Sequence, residues 1–279
     1  MGMSSKLRVA YLGPRGTFTE QAARSHFLEN AKFLECKDIP EIFAVVSSSS
    51  AEFGVVPVEN SIEGSVNIAL DMLLESNLQV SGEIDQRVVH NLIAQHEIAP
   101  SRIRVVVSHP QALAQCRNFL KVNLPHAEVL EAGSTAAAVK SVMGSRDKAA
   151  IGSELASKIY GMKVIRRGIE DNPNNFTRFF VLSRSRSART GNDKTSIIFS
   201  TEHAPGALHK ALGVFAERGI NLTKIESRPA RKRPWEYIFY CDLEGHLEDV
   251  PVKDALDELS RKTTFLKILG SYPRARSST

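Results

Sequence analysis

The sequence predicts an α/β protein in two parts: a larger two-lobed region with a cleft, then a smaller ferredoxin-like module of βαββαβ order. Three observations predict it. Short apolar runs alternate with glycine- and hydroxyl-rich junctions and helical patterns over the first 160 residues or so. A long extended stretch, 78–95, interrupts that alternation. A polar stretch at 184–193, RSRSARTGND, precedes a compact run of six further elements.

In chain order, residues 7–12 (LRVAYL) read as a buried strand, and GPRG leads to a helix starting at Thr17. Thr17 and Glu20 have capping-box spacing. Phe53 to Pro57 is a strand running into Glu59, Asn60 and Ser61. Ile103 to Val107 is a strand running into Ser108-His109-Pro110, with Pro110 where a first helical turn tolerates it. Val129-Leu130 leads to Gly133-Ser134-Thr135 and a helix, and 149–151 lead to Gly152-Ser153 and another. Strands alternating with helices imply largely parallel sheets. The stretch 78–95 is expected to cross between two lobes, with Val164-Ile165 and Phe179 to Leu182 forming the return. After the linker the expected order is strand 195–200, helix 205–217, strands 220–228 and 235–243, helix 251–261 and strand 264–270.

The 279 residues, 42% hydrophobic, are enough for a sizeable core and favour two domains. Charge is 36 minus 31, or +5. Its excess lies in Arg184, Arg186, Arg189 and Lys194 and in the tail arginines Arg274 and Arg276. No aromatic residue interleaves with them, so a solvated linker and tail explain them better than nucleic-acid binding. Three widely spaced cysteines without a CxxC pair fit a reducing compartment. The apolar part of the N-terminus is too short for a signal segment, and no run approaches a membrane span. A cytoplasmic protein is expected.

Candidate chemistry collects at the junctions. Gly13 to Thr17, Asn60-Ser61, Ser108-His109 and Ser134-Thr135 each read as a helix start with small hydroxyl residues. Capping explains any one of them. Several at one sheet edge would line a crevice. Glu59-Asn60-Ser61 places an acid, an amide and a hydroxyl at a buried strand end, which needs either turn bonding or a ligand. In Asn174-Asn175-Phe176-Thr177-Arg178-Phe179 strand alternation sends Phe176 and Arg178 one way and Thr177 and Phe179 the other. Arg178 suits a carboxylate or an edge-strand acid equally. His109 reads as a helix-start residue or an acid–base group. Metal-ligand spacing, GxGxxG, P-loop and GxSxG elements are missing, so no metal or cofactor is expected.

The segments YLGPRGTFTEQAA (11–23), VVPVENSIEGSV (55–66), SHPQALAQC (108–116), GSTAAAV (133–139), AAIGSELA (149–156) and NNFTRFFVL (174–182) resemble, in order, the motif set of prephenate dehydratases. Gly206-Ala207-Leu208 and Glu226-Ser227-Arg228-Pro229 resemble the paired phenylalanine-binding motifs of that family's ACT domain, with His209 where an aliphatic residue is common. The resemblance implies a periodic two-lobed layout: a periplasmic-binding-protein-like catalytic region at 6–183 (lobes 6–80 with 165–183, and 81–164), a linker at 184–193, an ACT domain at 194–273 and a tail at 274–279. It implies decarboxylating dehydration of prephenate without a cofactor. Thr177 carries the essential role, as donor to the leaving oxygen, and Arg178 is the candidate carboxylate clamp. Asn60, Ser61, Ser134 and Thr135 would bind substrate oxygens, oriented by Glu59 and Gln111, with Ser108 and Phe179 also at the site. Phenylalanine would bind at Gly206, Ala207, Leu208, Asn221, Leu222, Glu226, Ser227, Arg228 and Pro229 of a homodimer or dimer of dimers. Arogenate dehydratase and a non-catalytic amino-acid-binding regulator remain open alternatives.

Overall fold

The computed structural model describes residues 6–28, 31–230 and 237–275. Positions 235 and 236 of the expected third strand of the module, and 276–279 of the expected tail, lie outside them. The elements follow in order: β1 (Leu7–Leu12), α1 (Phe18–Phe27), β2 (Ala31–Cys36), α2 (Ile39–Ser47), β3 (Phe53–Asn60), β4 (Gly64–Ser65), α3 (Asn67–Glu75), β5 (Gln79–Arg87) and β6 (Asn91–Ala94). Then come β7 (Val105–Ser108), α4 (Pro110–Gln115), α5 (Arg117–Asn123), β8 (Glu128–Glu131), α6 (Thr135–Ser141), β9 (Lys148–Gly152), α7 (Glu154–Ile159), β10 (Lys163–Arg166) and β11 (Phe176–Ser183). The last six are β12 (Asp193–Ser200), α8 (Ala207–Ala216), β13 (Leu222–Pro229), β14 (Tyr237–Glu244), α9 (Val250–Lys262) and β15 (Phe265–Pro273), the expected βαββαβ order.

The first sheet has strand order β2-β1-β3-β11-β5, with β4 paired onto β3. β1 runs parallel to β2 and β3. The second has order β10-β6-β9-β7-β8. Here β7 is parallel to β8 and β9, while β6 is antiparallel to both β9 and β10. The expected parallel arrangement therefore fails at β6 alone among these strands. β6 follows β5 through only the residues 88–90, with no crossover helix to reverse the chain.

Alternate residues of the second sheet serve opposite faces. Leu92, Val106, Ala149 and Ile151 join one core with Leu113, Cys116 and Leu120. Ile93, Val107 and Ala150 join another with Ala138, Val139 and Ala156. Burial on both faces explains why these strands are continuous apolar runs rather than alternating ones.

α1 begins as its spacing predicts, with Thr17 Oγ1 accepting Glu20 N–H at 3.3 Å. The reciprocal bond lands one residue earlier than in a regular capping box: Glu20 Oε2 accepts Gly16 N–H at 2.6 Å. Gly16 sits at φ 90°, and a Cβ there would come within 2.9 Å of Ala156. Asn60-Ser61 is not a helix start. β3 continues through Asn60 and turns back into β4, and α3 begins only at Asn67.

The third sheet has order β13-β14-β12-β15 and is antiparallel throughout. One face packs on α8 and α9 through Ile197, Phe199, Ala211, Phe215, Cys241, Leu243, Leu256 and Leu259. By compactness the chain divides into two units: 1–69 with 85–179, and 70–84 with 180–279. Segment 70–84 thus belongs with the module, although it lies 110 residues or so before the linker in sequence. Within the second unit Tyr240 Oη donates to Leu70 O at 2.9 Å, and Arg228 pairs with Asp71 at 2.8 Å. Lys267 Nζ donates to the carbonyls of Leu73, Leu74 and Ser76, where α3 ends. Gly270 has no room for a side chain, since a Cβ would collide with the Val80 backbone. The sheet's second face thus meets this segment through Arg228, Tyr240 and Lys267, and the segment covers it.

Candidate active site

A cavity of about 110 Å³ lies within the first unit, lined by Phe18, Asn60, Val88, His90, His109, Gln111, Ala112, Gln115, Thr135, Asn175 and Thr177. Strand ends and helix starts supply these side chains: Asn60 ends β3, Thr177 lies near the start of β11, and Gln111 and Gln115 sit on α4. His109 is the N-cap of α4, its Nδ1 accepting Gln111 N–H at 3.3 Å, and Pro110 follows in the first turn.

Asn60 is the most connected residue there. Its Oδ1 accepts the backbone N–H groups of Ile62 and Glu63, each at 3.0 Å. Its Nδ2 faces Asn175 Oδ1 at 2.8 Å, Thr177 Oγ1 at 3.0 Å and Phe176 O at 3.1 Å. Asn175 is 1% exposed and donates through Nδ2 to Gln115 Oε1 at 2.9 Å. The same oxygen meets His90 Nε2 at 2.9 Å. His90 is buried, which lowers its pKa and keeps the imidazole neutral; Gln115 and Glu170 oppose that shift. Thr177 Oγ1 accepts from Asn60 and makes no other hydrogen bond among the described residues, so its hydroxyl hydrogen is available to a guest in the cavity.

Of the residues singled out from the sequence, the cavity brings together Thr177, Asn60, His109, Gln111 and Thr135. Ser61 stands just beside it and stitches the β3–β4 turn to β11, donating to Asn174 O and accepting Phe176 N–H. Ser134 caps α6 by accepting Ala137 N–H at 3.0 Å. Ser108 is buried and donates to Ile151 O at 2.7 Å. Phe179 is 1% exposed and lies in the core. Glu59 and Arg178 are half-buried and do not line the cavity. His90, Gln115 and Asn175 were not singled out. Gln115 and Asn175 lie inside the quoted motifs, so amide chemistry beside a strand end was a usable sign; nothing around His90 in sequence marks it.

In the third sheet's unit, Gly206 adopts φ 77° before α8, with open space where a side chain would be. Ala207 opens the helix. Leu208 and Leu222 pack toward the sheet's core, and Asn221 O accepts Glu244 N–H. Glu226 pairs with Lys224 at 3.2 Å, Arg228 holds Asp71, and Ser227 and Pro229 are exposed on β13. Among the described residues no group of three or more His, Cys, Asp or Glu is placed to hold a metal ion, and no helix is long and apolar enough to cross a membrane.

Two α/β sheets around an amide-lined cavity, with a βαββαβ module after them, define a two-part protein with a small-molecule cleft. Residues 9–187 match the family described as prephenate dehydratase, and residues 195–261 match the ACT domain. A bifunctional chorismate mutase/prephenate dehydratase from Aquifex aeolicus is 47% identical over 99% of this chain and 76% of its own length. The crystal structure of a prephenate dehydratase in complex with L-Phe from Arthrobacter aurescens has a TM-score of 0.89 at 35% identity, covering 96% of this chain and 90% of that one. A protein described as a novel type of quorum quenching acylase, GqqA, has a TM-score of 0.87 at 32% identity, covering 97% and 98%. The chain belongs to the prephenate dehydratase family and carries that family's C-terminal ACT domain.

Proposed function

We propose that this chain converts prephenate to phenylpyruvate in phenylalanine biosynthesis, in the cytoplasm, and that phenylalanine inhibits it through the ACT domain. The observation that carries the reading is the Asn60–Thr177 pair in the cavity, with the threonine hydroxyl hydrogen left to donate. In the reaction the bond from the ring to its carboxylate breaks, carbon dioxide leaves, and its electron pair enters the ring. The carbon–oxygen bond to the ring hydroxyl breaks with its electron pair going to oxygen, and the hydroxide takes up a proton from solvent to become water. Aromatisation supplies the driving force, so the protein has to supply orientation and a hydrogen bond to the departing oxygen. Thr177 is that donor. Gln111 and Thr135 face the substrate's oxygens, and Asn60, its own hydrogens taken by Asn175, Thr177 and Phe176, orients the threonine.

Two features bear on nearby readings. No Asp or Glu is among the lining residues to pair with the ammonium group of arogenate, which favours the keto acid as the first substrate to assay. An acyl-transfer reading needs a nucleophile beside a base. Thr177 accepts from a carboxamide nitrogen, which cannot take its proton.

We propose the domain division 6–183, 184–193 and 194–273; the expected lobe bounds at 80/81 and 164/165 move to 88–90 and 167–175, because β5 lies in the first sheet and β10 in the second. The edges of the third sheet, β13 and β15, expose Ile225, Phe265 and Ile268, which supports pairing of modules in a homodimer or dimer of dimers. The test is phenylpyruvate formation, followed by absorbance, from prephenate and from arogenate in parallel, each with and without phenylalanine. Turnover of prephenate that phenylalanine slows supports the reading, and turnover of neither substrate overturns it.

A further inference from the structure

Asn60 fixes which end of every neighbouring amide is oxygen and which is nitrogen. Its Oδ1 is held by two backbone donors, Ile62 N–H and Glu63 N–H, so its Nδ2 has to be the end that faces the cleft. Asn175, receiving that nitrogen at 2.8 Å, presents its oxygen to Asn60 and therefore its own nitrogen to Gln115. Gln115 presents its oxygen in turn, and that oxygen accepts from His90 Nε2. A neutral imidazole with its hydrogen on Nε2 has a bare nitrogen at Nδ1, and His90 Nδ1 is a buried atom without a partner. The direction of the whole chain, from a β-turn to a histidine tautomer, follows from one asparagine.

Asn175 stands in the middle. It touches Asn60, which ends β3 of the first sheet, and Gln115, which lies on α4 of the second sheet's lobe, and its backbone oxygen accepts Val88 N–H at 2.8 Å. It occupies one of the two Asn60 Nδ2 hydrogens, which leaves the other for Thr177 and Phe176. We infer that Asn175 is a positioning residue for the dehydration: its carboxamide takes one Asn60 hydrogen, which steers the other to Thr177 and leaves the threonine a donor to the leaving oxygen, and it passes the donor-to-acceptor direction across the cleft, holding His90 in the Nε2–H form. The activity part of this inference rests on the dehydratase reading; the tautomer part does not.

The chemistry requires an amide at position 175. An aspartate would still accept from Asn60 but has no hydrogen for Gln115. The Gln115 amide would then turn its nitrogen toward position 175, and the same nitrogen, a donor, would serve His90 only if the imidazole moved its hydrogen to Nδ1. The experiment is nitrogen-15 NMR of the full chain with labelled histidine, with the His90 resonances assigned from a His90→Gln variant, alongside kinetics on prephenate. Wild type is expected to show His90 in the Nε2–H form, and Asn175→Asp in the Nδ1–H form. Displacement of this kind costs on the order of 100-fold, so kcat should fall about that much in Asn175→Asp and Asn175→Ala, with KM changed a few-fold at most. A wild-type His90 in the Nδ1–H form overturns the inference without any variant. So does an Asn175→Asp protein that keeps both the wild-type tautomer and the wild-type kcat. Should Asn175→Ala fail to fold, the wild-type spectrum and the aspartate variant still decide. A wild type that leaves prephenate untouched would sink the dehydratase reading and leave the tautomer assignment standing.

Discussion

Around Thr177 the meeting side chains are carboxamides, an imidazole and a hydroxyl. On the third sheet's second face, covered by segment 70–84, they are charged: Arg228 with Asp71 at 2.8 Å, Lys194 with Glu83 at 2.9 Å, and Lys267 on the last carbonyls of α3. The two sets do different jobs. Neutral hydrogen bonds are short-ranged and directional, so they define which atom donates. Charged side chains on long stems tolerate imperfect geometry and attach a helix to a sheet, at the cost of removing charge from water. Glu83 and Lys194 show that cost, with side chains 1% and 14% exposed.

The comparison is broken most sharply at Thr177. Thr177→Ala should lower kcat by roughly 10²–10⁴-fold, about 3–5 kcal/mol of barrier, while the unfolding midpoint stays near wild type. Thr177→Ser should recover part of the loss. Near-normal turnover by a folded Thr177→Ala protein would remove the donor role.

On the charged side, Glu83→Leu strands the Lys194 ammonium and leaves Ala275 N–H without its acceptor. Breaking a buried pair from one side costs about 3–5 kcal/mol, read as a lower urea midpoint. A shift too small to measure would show that water reaches Lys194.

Lys267→Met is a milder test. It removes the cation and donors at the end of α3, which are worth about 1–2 kcal/mol together. The loss should appear in thermal unfolding and in amide exchange at residues 73–76, and unchanged protection there would count against the docking role.

The smallest effect is a pH dependence. The folded pKa of His90 lies below its ordinary value of 6.5 because burial disfavours the charged form. The unfolded chain therefore binds the proton more readily. This contribution to stability is full above pH 6.5 and declines as pH falls below it, by at most about 1.4 kcal/mol per unit. Urea midpoints at pH 7.5 and 5.5, compared between wild type and His90→Gln, should differ more for wild type.

Much of the frame was legible because it is local. Thr17, Ser134, Ser153 and His109 cap the helices whose starts their spacing marks, and the module's six elements appear in the expected order. Thr177 and Asn60 were found through motif identity. Long-range facts were not legible. No pattern within 70–84 says that it serves the third sheet, because its apolar residues suit either unit. Ser108 reads as a junction residue and Phe179 as a site residue in sequence, yet their side chains turn inward to a strand oxygen and to the core. The reversal of β6 depends on where its neighbours lie rather than on its own residues.

α3 also bears on how such proteins can be recombined. Its first turn belongs to one compact unit, and its remainder, from Leu70, to the other. A chimaera that exchanges the sensor as a C-terminal cassette, joined near Asp193, would bring a foreign sheet to a native Leu70–Ile84 segment. The donor's equivalents of Tyr240, Arg228, Lys267 and Gly270 would then have to match Leu70, Asp71, the α3 carbonyls and Val80 by chance. A transplant with two junctions, carrying 70–84 together with the module, keeps those complementary surfaces from a single parent.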